Sequence, residues 1–425
     1  MLTRIDLIIL SLLIVPLKSI YHNDYESRVF DYLPLNCFDC LSYRDIILTE
    51  LNDVPARAFA NFHLGSRDTS LILNGQVNLI LHPYVFQSLI VRKPNKTLTI
   101  TLTAPNSWLN ITENTFHGLE LHAYSTLRLV IKFFYGCTFH KNSLSGIDMG
   151  RLSRLIVEIS SVTEVIFEDQ IVDNHGWNSS VEILVSRTET IVFHSYAFSQ
   201  LIIPSNVIVS FHFELISQIS FKPFSFSALQ LSPSSSFRFY SIFLNRLTID
   251  SYAFDHLQID SHARFNFTLR TLGTCLCFKS FAFNNLQSKL NSENTLILFD
   301  FYTLRGLSFL SHTFANLSFH HPSHHLKIIL SNPLNDPNPI VNLANDTFSS
   351  STSSGLITLH FSEMSLVRLE SNSLAFDSFN HQIAFRDISL VDLSTLDYGR
   401  TKKKFIIVWD NVQFIRWSSE SINTK

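Results

Sequence analysis

Ile249-Asp-Ser-Tyr-Ala-Phe254-Asp-His-Leu257 is the stretch on which the reading of this 425-residue chain turns. An apolar residue is followed by three variable ones, then a small or β-branched one, then Phe, and three places later Leu. The unit recurs as Val54…Phe59, Leu81…Phe86, Ile111…Phe116, Phe134…Phe139, Phe193…Phe198 and Phe221…Phe226. It continues as Phe278…Phe283, Phe309…Phe314 and Leu343…Phe348, and weaker copies put Val172 and Leu374 in the Phe place. The copies between Phe59 and Leu374 are spaced by about 29 residues, a period typical of repeat architectures.

Outward from the Phe motif, each copy is preceded by a stretch that alternates in polarity. Residues 97–103 (TLTITLT), 207–213 (VIVSFHF), 263–269 (ARFNFTL), 295–301 and 325–330 are examples. Period-two alternation in β-branched and aromatic residues predicts strands with one buried face. A common step makes them parallel neighbours, because a single coil cannot bury its own apolar side and stacked coils can. Short apolar pieces at 219–221 and 247–249 lead into the Phe motif. Leu89, Leu119, Leu201, Leu229, Leu257, Leu286 and Leu317 follow it, predicting a tight turn or one 3₁₀ turn between Phe and Leu. The expected fold is mainly β: a right-handed parallel β-solenoid of about 12–13 coils of about 28 residues. Phe59, Phe86, Phe116, Phe139, Phe198, Phe226, Phe254, Phe283, Phe314 and Phe348 are expected to form a structural column in its core.

The motif 249–257 resembles the I-x-x-x-A-F-x-x-L half of extracellular leucine-rich repeats, and the resemblance extends over most of residues 45–400. The L-x-x-L-x-L-x-x-N half is kept best at Leu71-Ile-Leu73-Asn74, and most coils lack the Asn. The resemblance implies a secreted or ectodomain binding scaffold with its ligand on the strand face. It implies no chemistry.

Composition agrees with a large apolar core. Hydrophobic residues make up 46% and charged residues 16% of the chain, against about 25% charged in ordinary domains, which excludes intrinsic disorder. Only 11 residues are Gly, which excludes collagen and disfavours Gly-rich calcium-binding rolls. A net charge of −3 gives no reason to expect a nucleic-acid partner.

Four segments follow: a signal peptide over 1–19, an N-terminal cap over 20–51, the solenoid over 52–387, and a C-terminal cap and tail over 388–425. Arg4 and the nine-residue apolar run 7–15 form the leader, which is shorter than the ~20 residues that a membrane span needs. Secretion and an extracellular site of action are therefore expected. Six N-x-[S/T] sequons, at Asn95, Asn110, Asn178, Asn266, Asn316 and Asn345, are candidate glycan acceptors. Of five cysteines, Cys37 and Cys40 are placed to staple the cap, and the odd number leaves at least one thiol free or intermolecular.

No metalloprotease, hydrolase, phosphate-loop or EF-hand motif is present, so no catalytic residue, metal ligand or cofactor is assigned. His320, His321, His324 and His325 flank Pro322 and read as a polar loop rather than a metal site. The outward strand positions are more informative. They hold Arg128, Lys132, Arg154, Arg238, Arg264, Lys327 and Arg386, with His212, Tyr240 and His360 among them and only Glu158 and Glu182 as counter-charges. Such a ribbon fits an extracellular protein or an anionic glycan. The expected function is recognition or adhesion without catalysis. The alternatives are a β-helical polysaccharide-active enzyme, a soluble or truncated receptor ectodomain, and a structural-matrix protein.

Overall fold

The computed structural model describes residues 45–60, 62–64, 68–172, 177–290, 292–302, 306–332, 340–370, 373–374, 376–392 and 405–416. The strands Phe376–Asp392 and Phe405–Arg416 are described by backbone pairing alone. The expected leader and the Cys37/Cys40 staple lie outside these residues.

The chain is a parallel β-solenoid of about 11 turns with a step of about 28 residues. Val209 pairs with Phe237, and Phe237 with Phe265, so chemically equivalent residues lie side by side. The described residues form strands and turns only, and no helix among them is long and apolar enough to cross a membrane.

Each coil has three straight sides. The first is the alternating strand, such as Thr97–Thr103, whose Leu98, Ile100 and Leu102 are buried while the intervening Thr residues face out. The second is the short piece entering the Phe motif. In the middle of the solenoid both sides belong to one bent strand, as in Ile208–Phe221 and Ser236–Ile249. The bend falls at Leu215 (φ 57°) and Phe243 (φ 57°), left-handed positions that turn the backbone without breaking the ladder. The third side has only two residues, as in Gln230–Leu231 and Gln258–Ile259.

Between the second and third sides lies the turn carrying the Phe anchor. At 251–256 two three-residue-spaced bonds fold the turn, from Ala253 N–H to Asp250 O and from Asp255 N–H to Tyr252 O. The amides between them donate to the next coil, Phe254 N–H to Ala282 O (2.9 Å) and His256 N–H to Asn284 O (3.0 Å). These are turns, with no 3₁₀ helix among the described residues, because the amides a 3₁₀ helix would use are committed to the neighbouring coil.

Anchors stack along the axis. Phe198, Phe226, Phe254, Phe283, Phe314 and Phe348 follow one another at centroid spacings of 5.0, 5.1, 4.9, 5.3 and 5.1 Å. Phe59, Phe86 and Phe116 form the same column at the start, at 5.4 and 5.0 Å. Phe139 is displaced from its expected place. It ends the strand Gly136–Phe139, opposite Ile111 and Phe167, and buried Leu144 occupies the turn instead. Phe139 stacks in a second column with Phe167, Phe193 and Phe221, at 5.1, 5.0 and 4.7 Å. Where Leu144 and Val172 leave the turn column thin, buried Trp177 fills the space, its ring 6.2 Å from Phe198.

The ladder also exceeds its expected limits. Asp45–Val54 pairs in parallel with Thr69–Leu81 inside the expected N-terminal cap. Phe405–Arg416 pairs with Phe376–Asp392 beyond the expected end at 387. Both strands pair in parallel with the neighbouring coil, so the ladder runs on through them.

Candidate functional site

The outer face of the first side is the broadest regular surface of the solenoid. Its outward residues fall into four columns, because strands stack in register about 4.8 Å apart and alternate residues share a face. Arg154, Ser180, Ile208, Ser236, Arg264, Leu296 and His325 form one column; Arg128, Ile156, Glu182, Ser210, Arg238, Asn266, Leu298 and Lys327 form the next. His212, Tyr240, Thr268, Asp300, Ile329 and His360 make a third. Lys132, Ser160, Ser186, Glu214, Ile242, Arg270, Tyr302 and Ser331 make the fourth.

All the described ribbon residues therefore share one face, but not one row. Arg128 is taken by Glu158, whose carboxylate it meets through Nε and Nη2 at 2.7 Å each. His212 lies 3.8 Å from Glu182 and 5.9 Å from the Tyr240 ring, and burial holds its imidazole below the usual range. Arg386 is placed by its backbone alone, opposite Ser362. The face is also less one-sided than the sequence suggests, because Glu214 and Asp300 lie on it too.

Among the described residues, Arg238, Arg264, Arg270 and Lys327 have no carboxylate within ion-pair distance. The guanidinium of Arg270 lies 5.7 Å from the Tyr302 ring centroid. Asp300 sits between Thr268 and Ile329, with Arg270 one coil before and Lys327 one coil after, each on a diagonal. Burial pushes the Asp300 carboxyl up, and the two cations only partly offset that. Arg270, Asp300 and Tyr302 are additions to the residues that the sequence singles out. The alternation of residues 296–302 (LILFDFY) carries the signal for two of them, and Arg270 falls one place past the stretch 263–269.

The histidine loop does not converge. His324 points inward and is buried, its Nε2–H donating to the Ser292 carbonyl (2.8 Å) and its Nδ1 accepting from Ser288 Oγ (2.8 Å). His325 faces outward to Thr358 Oγ1 (2.9 Å), while His320 and His321 bond Ser318 and Ser323. Among the described residues no three His, Cys, Asp or Glu side chains come together as a metal site would require. Cys137 is buried in the core, and its thiol is pushed up by burial.

The sequons differ in setting. Asn95, Asn178 and Asn345 are exposed. Asn316 is exposed but gives its Nδ2 to Asn284 Oδ1 (3.1 Å). Asn266 lies on the first face with its side-chain oxygen buried, and Asn110 faces out from the second side. No family model, curated protein or solved structure matches this chain.

Proposed function

We propose that the chain is a secreted recognition or adhesion protein that binds an anionic extracellular partner, protein or glycan, with the second half of its first face. The observation that carries this reading is the group Arg238, Arg264, Arg270 and Lys327, none ion-paired among the described residues, with Tyr240 and Tyr302 between them. Cations that no carboxylate holds in an ion pair lose little on meeting an anion, and aromatic rings add apolar contact area.

The test is binding of the purified chain to cells and to immobilised anionic and neutral glycans across a salt series. Saturable binding that weakens with salt is expected, since the Debye length is about 8 Å at 0.15 M. Replacing Arg238, Arg264 and Lys327 together by Gln should weaken it about tenfold, at roughly 0.5 kcal/mol per exposed contact. Unchanged affinity would sink this reading.

One observation favours a polysaccharide-active enzyme as a second reading: Asp300 stands between Arg270 and Lys327 on a face open to a linear substrate. A carboxyl with a raised pKa beside two cations is a combination that acid–base chemistry on a charged sugar uses. New reducing ends or unsaturated products from a uronate polymer, lost in Asp300→Asn, would establish it.

A further inference from the structure

The second side carries an aromatic cluster that neither the core nor the first face uses. Trp108 faces outward from the strand Trp108–Ile111. The position opposite it in the next coil is Gly136. A Cβ there would fall 2.3, 2.4 and 2.6 Å from three atoms of the six-membered ring of Trp108. Distances so nearly equal place that point over the ring face, so the indole lies across the glycine and turns its other face away from the sheet. Tyr135 meets the indole edge-on at 5.7 Å. Tyr135 and Phe133 are 52% and 57% exposed, which is unusual for rings in a chain that buries most of its Phe.

Two residues after Trp108, on the same face of the same strand, is Asn110 of the sequon Asn110-Ile-Thr112. Side chains at i and i+2 on a strand are about 7 Å apart, roughly the reach from an asparagine amide to the middle of its first sugar. The side-chain amide of Asn110 has no hydrogen bond among the described residues, whereas that of Asn316 is engaged with Asn284. The C–H face of a pyranose carries partial positive charge and suits the negative face of an indole.

We infer that Asn110 carries an N-linked glycan whose first N-acetylglucosamine packs on the outer face of Trp108, shielding the Trp108–Tyr135 pair. The inference rests on the secretory reading above. Its occupant is the chain's own glycan, so this cluster is not a docking surface for a separate partner.

The test uses the full chain, secreted with its own leader from a glycosylating eukaryotic host. Site occupancy is read by mass spectrometry and stability by thermal melting. Occupancy at Asn110 is expected, and Asn110→Gln should lower Tm by about 2 °C, while Asn95→Gln shifts it by less than about 1 °C. Trimming all glycans to their first sugar should leave Tm unchanged, and removing that sugar should reproduce the fall. Asn110→Gln touches no packed ring, so the comparison does not depend on a core variant. Occupied Asn95 and Asn178 with an empty Asn110, or an occupied Asn110 whose loss leaves Tm unchanged, would overturn the packing alone. Empty sequons throughout would overturn the secretory reading and this inference with it.

Discussion

One buried and one half-buried polar residue show how single side chains set local stability. His324 stands in a column that elsewhere holds several small residues, among them Ser125, Ser153, Ser179 and Ser235. The longer connection before Leu296 supplies Ser292 as its partner, and Gly355 of the following coil lies close against its backbone. A Cβ on Gly355 would lie 2.6 Å from the His324 carbonyl oxygen. Both ring nitrogens are satisfied only in the neutral form, because Nδ1 accepts from Ser288 and from the His321 amide. Burial holds the imidazole below its usual range, so the unfolded chain takes up the proton first as pH falls. Stability should be full above the unfolded value of about 6.5 and fall below it, the loss ending at the folded pKa. Urea titrations from pH 8 to 5 should find this acid limb in the native chain and a flatter one in His324→Ser. Asp300 has the opposite sign. Its folded pKa is raised, so its half-buried carboxylate costs stability at neutral pH; the cost shrinks as pH falls below the folded pKa and is gone below the unfolded one. Asp300→Asn should therefore raise Tm at pH 7 and make no difference near pH 3. A lower Tm at pH 7 would mean that Arg270 and Lys327 outweigh burial.

The coil-forming elements divide between an inner and an outer aromatic stack. Inside, Phe254 touches Phe226 and Phe283 face to face and Phe265 and Phe267 edge-on. Outside, Tyr196, Phe224, Tyr252, Phe281 and His312 stack at 5.4, 5.5, 5.3 and 5.0 Å, each within 10° of parallel. Phe254→Ala should cost about 3–5 kcal/mol, the usual cost of a buried Phe cavity. Tyr252→Ala, at a half-exposed left-handed position, should cost about 1 kcal/mol, mostly lost stacking. Denaturant melts of the two variants measure the ratio, and equal losses would show the outer stack to be as important as the inner. The inner stack is legible in the sequence because a bulky ring recurring at one spacing marks the same core position in coil after coil. The motif puts Phe139 five residues out of register because Phe134…Phe139 satisfies it by chance, while the true turn residue is a Leu. The third side leaves no trace, since two residues are too few to establish alternation. On the candidate face, the outward column positions are readable, but partners one coil away are not. Arg128 and Glu158 are 30 residues apart in sequence, and only the register reveals their pairing.

For the molecule as a whole, the repeating step makes length the constrained quantity. Every inward residue finds its neighbours by counting about 28 residues along the chain. Extra residues are tolerated at corners, as before Leu296, and not within a side, where one added residue would turn the apolar set outward. Removing residues 222–249 would join Phe221 to Asp250 and restore the same neighbours one coil shorter. That deletion should fold and melt cooperatively with a slightly lower Tm, as nearest-neighbour stabilities predict. Removing half a coil, residues 236–249, should leave the chain insoluble or molten, which circular dichroism and thermal melting would detect.

The corners carry a last consequence. Leu215, Phe243, Tyr252 and His256 hold a backbone conformation that costs a non-glycine residue about 1–2 kcal/mol in isolation. No such corner is chosen by its own residues; each is copied from the coil beside it through bonds such as Tyr252 N–H to Phe281 O. Folding then behaves like the growth of a crystal, with an expensive seed and inexpensive addition at its ends. A chain emerging from the ribosome would wait for its second coil before keeping its first.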